Sequence, residues 1–258
     1  MILAPLTDIL HYLMAGVGIR GVPPERLVRE TPRRAFSTGA IAGGLTKIER
    51  LMFPGPAGEL EALLEWDPER PPSLAGIVCH PHPLFGGTMH NKVVYRVAKG
   101  ALAAGAPILR FNFRGVGKSQ GSHASGIGER DDVRAALDFL GARFPALPVA
   151  MMGFSFGSWV ALAAGAADER VRWLAGLGLP VASTDFSFLG GCAKPKLIVQ
   201  GTLDQFGPRE KLQEVFDTFA EPKKLRWVEG VDHFFTGKLE EVQSAVEKFL
   251  SGAAARPG

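Results

Sequence analysis

Pro148-Val149-Ala150-Met151-Met152-Gly153-Phe154-Ser155-Phe156-Gly157 is the stretch on which the reading of the fold turns. Its first half is an uninterrupted apolar run, the pattern of a short strand buried on both faces of a parallel sheet. Directly behind it, Ser158–Ala167 reads as a helix whose small residues allow close packing. The Gly-x-Ser-x-Gly between them is a weak signal alone, because the chain holds 32 glycines. Its place at a strand–turn–helix junction raises its value, since a nucleophile elbow requires that context. So tight a turn strains the backbone of Ser155 and leaves no room for a Cβ two residues to either side, where Gly153 and Gly157 stand. The serine oxygen is then presented at the C-terminal edge of the sheet. The bland alternative is a glycine-rich helix entry with a serine cap.

Outward from this junction, strands and helices alternate. Residues 46–54 and 59–67 are predicted as two strands around the turn Gly55-Pro56-Ala57-Gly58. Further strands are expected near 75–81, 107–113, 147–154, 171–179, 196–201 and 224–229. Helices are expected near 91–104, 128–143, 156–167, 208–220 and 237–252. Such alternation predicts an α/β domain over 46–252, a mostly parallel twisted sheet with helices on both faces. Residues 1–45 stand apart as an N-terminal extension: Leu6, Leu10, Leu13, Met14 and Val17 recur at helical spacing, and an Arg- and Pro-rich loop follows. Its basic residues come after the apolar ones, the reverse of an export signal, so a cytoplasmic protein is expected. Residues 253–258 are expected to fray.

Composition removes several classes. With 46% hydrophobic and 21% charged residues, the 258-residue chain is globular rather than disordered. A formal net charge of +3 is too weak and diffuse for a nucleic-acid groove. Cys79 and Cys192 are too few for a disulfide framework or a CxxC-type zinc site. No uncharged apolar run reaches the length of a membrane span.

A serine hydroxyl near neutral pH needs a base, and the base needs an orienting acid. Downstream of Ser155 the only histidine is His233, directly after the last predicted strand and before the last helix. The acid should follow the preceding strand, which places Asp204 in Gly201-Thr202-Leu203-Asp204 at the same sheet edge. Asp232 is the rival, disfavoured because neighbouring side chains on an extended loop point apart. The tetrahedral intermediate also needs backbone N–H donors. Phe156, after the nucleophile, is one. The other should come from His80-Pro81-His82-Pro83-Leu84-Phe85-Gly86-Gly87. Pro81 and Pro83 have no N–H, so Leu84 is the expected donor, with His80 and His82 bracing the loop through side-chain hydrogen bonds. The His-x-His pair could instead hold a metal, but the remaining histidines form no further ligand motif, so neither metal nor cofactor is expected.

With these residues in place, the chain resembles the serine-dependent α/β-hydrolase superfamily, and within it small bacterial dienelactone-hydrolase-like proteins. The resemblance is carried by His80–Gly87, Arg114-Gly115-Val116-Gly117-Lys118-Ser119, Gly153–Gly157, Gly201–Asp204 and Asp232-His233-Phe234-Phe235, and spans about residues 46–250. It implies the α/β-hydrolase fold with an eight-stranded sheet whose second strand is antiparallel, and a triad of Ser155, Asp204 and His233. It also implies that the Arg114–Ser119 loop is structural. Dienelactone hydrolases proper use a cysteine nucleophile, so Ser155 argues against a dienelactone substrate. The segment Val181–Lys194, where larger relatives insert a cap, is too short for a separate domain, so a minimal cap is expected. Phe85, Phe154, Phe156, Phe186, Phe188 and Phe206 are candidates for an apolar acyl wall. The expected activity is metal-independent hydrolysis of small acyl esters. Thioester or peptide cleavage would use the same parts, and a non-catalytic binding protein on the same fold is the reading from another class.

Overall fold

A computed structural model of the protein describes residues 46–254, with side chains to 252. The expectations for 1–45 and 255–258 lie outside the described residues. Eight strands are present: β1 (Lys47–Gly55), β2 (Gly58–Trp66), β3 (Ala75–Cys79), β4 (Ile108–Phe111), β5 (Val149–Phe154), β6 (Val171–Leu177), β7 (Lys196–Gly201) and β8 (Lys223–Val228). They form one sheet in the order β1-β2-β4-β3-β5-β6-β7-β8. β2 runs antiparallel to both its neighbours, and every other pairing is parallel.

The central strands follow their sequence pattern. β3 and β5 are continuous apolar runs and are buried along their whole length. β1 and the first half of β2 alternate, with Phe53, Leu60 and Ala62 turned into the core, while Ala62–Glu65 are buried throughout. Five helices flank the sheet: α1 (Lys92–Ala103), α2 (Ile127–Arg143), α3 (Phe156–Ala167), α4 (Arg209–Asp217) and α5 (Leu239–Ala254). On one face α1 and α5 cover Val78, Ile108, Met152 and Val199. On the other, α2, α3 and α4 cover Ile77, Leu109, Met151 and Ile198. Each face therefore has its own apolar core, as a doubly wound sheet demands.

Several expected ends shift for local reasons. β3 stops at Cys79, two residues earlier than expected, where the His80–Pro81 turn begins and proline could no longer donate to a ladder. β4 closes at Phe111, two residues earlier than expected, although the Asn112 N–H still bonds Glu61 O on β2 at 2.8 Å. α5 continues to Ala254, past the expected frayed end. Between β6 and β7 the chain forms only a 3-10 turn, Ser187–Gly191, which matches the expected minimal cap. Among the described residues no helix is long and apolar enough to cross a membrane.

The parallel register sets where chemistry can occur. Cys79 pairs with Gly153, Phe154 with Leu177, Leu177 with Val199 and Gly201 with Val228. The loops that follow β3, β5, β7 and β8 consequently leave from one edge of the sheet, the usual place for sites in such folds.

Candidate active site

Ser155 stands between β5 and α3 with φ 57 and ψ −124, a backbone conformation rare outside glycine. Its surroundings over-determine that conformation. The Ser155 N–H donates to Leu177 O at 2.9 Å, and its carbonyl accepts from Ser158 N at 2.8 Å and Ser158 Oγ at 2.6 Å. A Cβ on Gly153 would lie 2.1 Å from Gly157 O, and one on Gly157 would lie 2.4 Å from His80 O. The elbow therefore needs glycine at both positions.

His233 leaves the sheet edge five residues after β8, and Asp204 three residues after β7. The Ser155 Oγ donates to His233 Nε2 at 2.9 Å, and His233 Nδ1 donates to Asp204 Oδ2 at 2.8 Å. Both the imidazole and the carboxylate are buried. The Asp204 carboxylate is saturated: Oδ2 also accepts from Gln200 Nε2 at 2.8 Å, while Oδ1 accepts from Phe206 N at 2.8 Å and Gly207 N at 3.3 Å. Four donors offset the desolvation of a buried anion. The His233 ring rests on Phe154, with centroids 4.9 Å apart, and meets the edges of Phe206 at 4.7 Å and Phe234 at 5.3 Å. The rival acid turns elsewhere. Asp232 Oδ1 accepts from Phe234 N and Thr236 N, both at 3.1 Å, and Oδ2 accepts from the Thr236 hydroxyl at 3.1 Å, so it caps its own loop.

The loop after β3 departs from expectation. The Leu84 N–H, expected as an oxyanion donor, is instead bound by His82 Nδ1 at 3.2 Å. The N–H groups of Phe85 and Gly87 both donate to His82 O at 3.1 Å. Pro81 and Pro83 have none. Among residues 81–85, the N–H of His82 is the one left without an acceptor, and α3 begins beside it with the Phe156 N–H equally open. His82 follows a proline and precedes one, yet keeps its own N–H.

His80 is fully buried. Its Nδ1 donates to Pro81 O at 2.6 Å, and its Nε2 accepts from Phe113 N at 3.0 Å. Burial pushes its pKa down to about 4, against the opposing pull of the Pro81 carbonyl and Glu129. His82 is pushed down to about 4 as well, by burial first and then by His123, with Glu129 opposing. A histidine whose folded pKa lies below its unfolded value is neutral in the fold, while the unfolded chain is already taking up the proton. Stability present above about pH 6.5 should therefore fall as pH drops towards 4, by up to about 1.4 kcal/mol per pH unit for each fully buried imidazole. The half-exposed His82 adds less, in the same direction. Urea midpoints that stay constant from pH 6.5 to 4.5 would show that these rings are not held neutral.

The phenylalanines divide. Phe154 and Phe186 are at most 1% exposed, so neither can form a pocket wall: Phe154 supports the imidazole from beneath, and Phe186 packs with Leu189 in the core. Phe188 is half-buried against that core. Phe85, Phe156 and Phe206 keep exposed surface at the sheet edge. Leu203 and Phe234, which sequence reasoning missed, join them at 66% and 50% exposed. Leu203 and Phe234 are the sequence neighbours of Asp204 and His233, and that adjacency was readable. Two cavities of about 300 and 390 Å³ lie elsewhere, beside Met52 and Met89 and beside Cys192 and Pro195, and neither includes Ser155, Asp204 or His233. Ser155 itself is partly exposed. The Arg114–Ser119 loop is tied down by the Arg114–Asp132 ion pair at 2.7 Å and by Ser119 Oγ donating to Asn112 O at 2.7 Å. Among the described residues no cluster of three or more His, Cys, Asp or Glu could hold a metal.

Comparison with known proteins agrees with this architecture. Residues 84–256 match the family described as the alpha/beta hydrolase domain. An alpha-beta serine hydrolase homologue from Coxiella burnetii is 37% identical, with a TM-score of 0.74 over 78% of this chain and 96% of that one. A serine hydrolase without a lid from Xanthomonas campestris is 31% identical, with a TM-score of 0.75 over 82% of this chain and 97% of that one. An uncharacterized protein of Rickettsia prowazekii (strain Madrid E) is 35% identical over 210 residues, 78% of this chain and 88% of its own. On its matched length, its sheet and these relatives, the chain belongs to the α/β-hydrolase family.

Proposed function

We propose that the protein is a metal-independent serine hydrolase that cleaves small acyl esters through an acyl-enzyme. The observation that carries this reading is the continuous relay from Ser155 Oγ to His233 Nε2, 2.9 Å, and from His233 Nδ1 to Asp204 Oδ2, 2.8 Å. Ser155 attacks the ester carbonyl while His233 Nε2 takes its proton. Asp204 keeps the other imidazole proton on Nδ1 and stabilises the imidazolium that forms. Negative charge gathers on the former carbonyl oxygen, where the open N–H groups of Phe156 and His82 serve as donors. The imidazolium then protonates the leaving alcohol. Water, activated by the same imidazole, attacks the acyl-serine and frees the acid.

Two further features support the assignment. Neither ring nitrogen of His80 is free to ligate a metal, because one donates to Pro81 O and the other accepts from Phe113 N. The exposed apolar side chains of Leu203 and Phe234, each next in sequence to Asp204 or His233, suit a small apolar acyl group. The test is covalent labelling. A fluorophosphonate should modify the protein once, with the added mass on the peptide that contains Ser155, and labelling should abolish turnover of p-nitrophenyl acetate and butyrate. Modification elsewhere, or turnover that survives full labelling, would overturn the reading.

A further inference from the structure

We propose that His82 is the positioning residue of the oxyanion loop: its imidazole holds residues 81–87 against the start of α3 and so fixes its own open N–H beside that helix. The inference rests on the hydrolase reading above, and it concerns the side chain of His82, whose own N–H is the donor being placed.

His82 precedes the 3-10 turn Pro83–Phe85 with φ −53 and ψ 123, an N-cap geometry. Caps are usually short side chains such as Ser, Asp or Asn. Here the imidazole does the same task, with Nδ1 accepting from Leu84 N at 3.2 Å. The His82 carbonyl accepts twice more, from Phe85 N and Gly87 N at 3.1 Å each. One residue therefore binds every N–H donor of residues 83–85 and that of Gly87. The chain can turn back this sharply because Gly86 takes a left-handed φ of 75 and a Cβ at Gly87 would lie 2.1 Å from Pro81 O.

Packing ties the turned loop to the elbow. The His82 ring lies 4.8 Å from the Phe85 ring, 4.8 Å from Phe156 and 4.9 Å from His123. Phe156 is the residue that follows the nucleophile, so the ring spans the two chain segments that carry the oxyanion donors. Beneath, Gly157 lets α3 approach the carbonyls of Cys79 and His80. Loop and helix are thereby held in mutual register at both levels.

The arrangement requires one tautomer. Nδ1 must be bare to accept from Leu84, so the proton sits on Nε2 and the ring is neutral. Protonation would turn the acceptor into a donor facing the Leu84 N–H, and the cap would open. The groups around the ring favour the neutral form on balance. Burial and the neighbouring His123 disfavour charge on it, while the Glu129 carboxylate favours charge. Glu129 is itself engaged, accepting from Ala124 N at 2.8 Å and Gly126 N at 2.7 Å, and lies 2.8 Å from His123 Nδ1 without hydrogen-bond alignment.

Three substitutions separate the cap from the packing. His82→Phe keeps an aromatic ring between Phe85, Phe156 and His123 but removes the acceptor. His82→Ala removes both. His82→Asn removes the ring but supplies an oxygen that can cap the N–H two residues on, as asparagine does in Asx-turns. On p-nitrophenyl butyrate, His82→Phe and His82→Ala should lose on the order of 10²-fold in kcat with KM much less changed, the penalty of a donor misplaced by about an ångström. His82→Asn should recover most of that loss, to within roughly threefold of the unsubstituted protein. In the unsubstituted protein the nitrogen NMR spectrum should show His82 with bare Nδ1 and protonated Nε2. An active His82→Phe with unaltered kcat, or a spectrum with the proton on Nδ1, would overturn the inference and leave the hydrolase reading standing. Absence of turnover and of Ser155 labelling in the unsubstituted protein would overturn both.

Discussion

Asp204→Asn should lower kcat for short p-nitrophenyl esters by on the order of 10⁴-fold, whereas Asp232→Asn should change it by less than roughly fivefold, as expected for a group outside the relay. The asymmetry follows from who donates to each carboxylate. Asp204 Oδ1 accepts from two fixed backbone N–H groups, Phe206 and Gly207, and Oδ2 accepts from Gln200 Nε2 and His233 Nδ1. An amide has only one accepting end. The two backbone donors draw it to the Oδ1 position, so the NH₂ is left facing His233 and Gln200. A donor there forces His233 to keep its proton on Nε2, and the nitrogen that should receive the Ser155 proton is already occupied. The fold should survive, because a misplaced amide leaves a buried donor unpaired at about 1–3 kcal/mol. Ser155→Ala should lose more, on the order of 10⁶-fold, and the double variant no more than Ser155→Ala alone, since members of one relay are not additive. Steady-state kinetics on the four variants and the unsubstituted protein decide it. Greater damage from Asp232→Asn, or additive losses in the double variant, would remove Asp204 from the relay.

The sequence carried these positions to different depths, and physical reasons separate them. Ser155 was legible because a buried apolar strand, two obligatory glycines and a small-residue helix occur in one unbroken stretch. His233 and Asp204 were legible through order: a parallel sheet brings the loops after β7 and β8 to the edge that holds Ser155, so strand position stands in for spatial position. The sheet itself was readable to within two residues at most strand ends, since period and apolar run length are local properties. Donor accounting in the His80–Gly87 loop was not readable in that way. Whether Leu84 or His82 has the spare N–H depends on a side chain folding back onto its own turn, which no pattern of residue types records. Gln200 was a quieter signal, a polar residue ending the apolar run Leu197-Ile198-Val199. Its Oε1 accepts from Leu179 N at 2.8 Å while its Nε2 donates to Asp204, so it fastens the carboxylate to the loop after β6. Phe154 and Phe186 are core rather than pocket wall, since apolar character alone does not tell a core residue from a rim residue. Burial is decided by what the neighbouring elements cover.

Gly157→Ala should destabilise the protein by about 3 kcal/mol, the upper end of the overpacking range, while Gly141→Ala should stabilise it by about 0.5–1 kcal/mol. Both add one methyl group to a helix, and the sign is set by what that methyl meets. At Gly157 a Cβ would come within 2.4 Å of His80 O and 2.5 Å of Cys79 O. Those are backbone atoms, and they cannot move cheaply. Cys79 is laddered to Gly153 on β5, and His80 is anchored on the other side by accepting from Phe113 N at 3.0 Å. The helix must retreat instead, carrying Ser155 and the Phe156 N–H away from the loop that holds the open His82 N–H. Activity should therefore fall even in the folded fraction, by on the order of 10²-fold for a displacement of about an ångström. At Gly141, inside α2, a Cβ meets nothing within 4 Å, and alanine gains helix propensity and restricts the unfolded chain. Urea unfolding of both variants, with kcat measured far below each midpoint, provides the comparison. A Gly157→Ala protein as stable and as active as its parent would mean that α3 does not press on the end of β3, and the close approach that sets the oxyanion donors beside Ser155 would have to be abandoned.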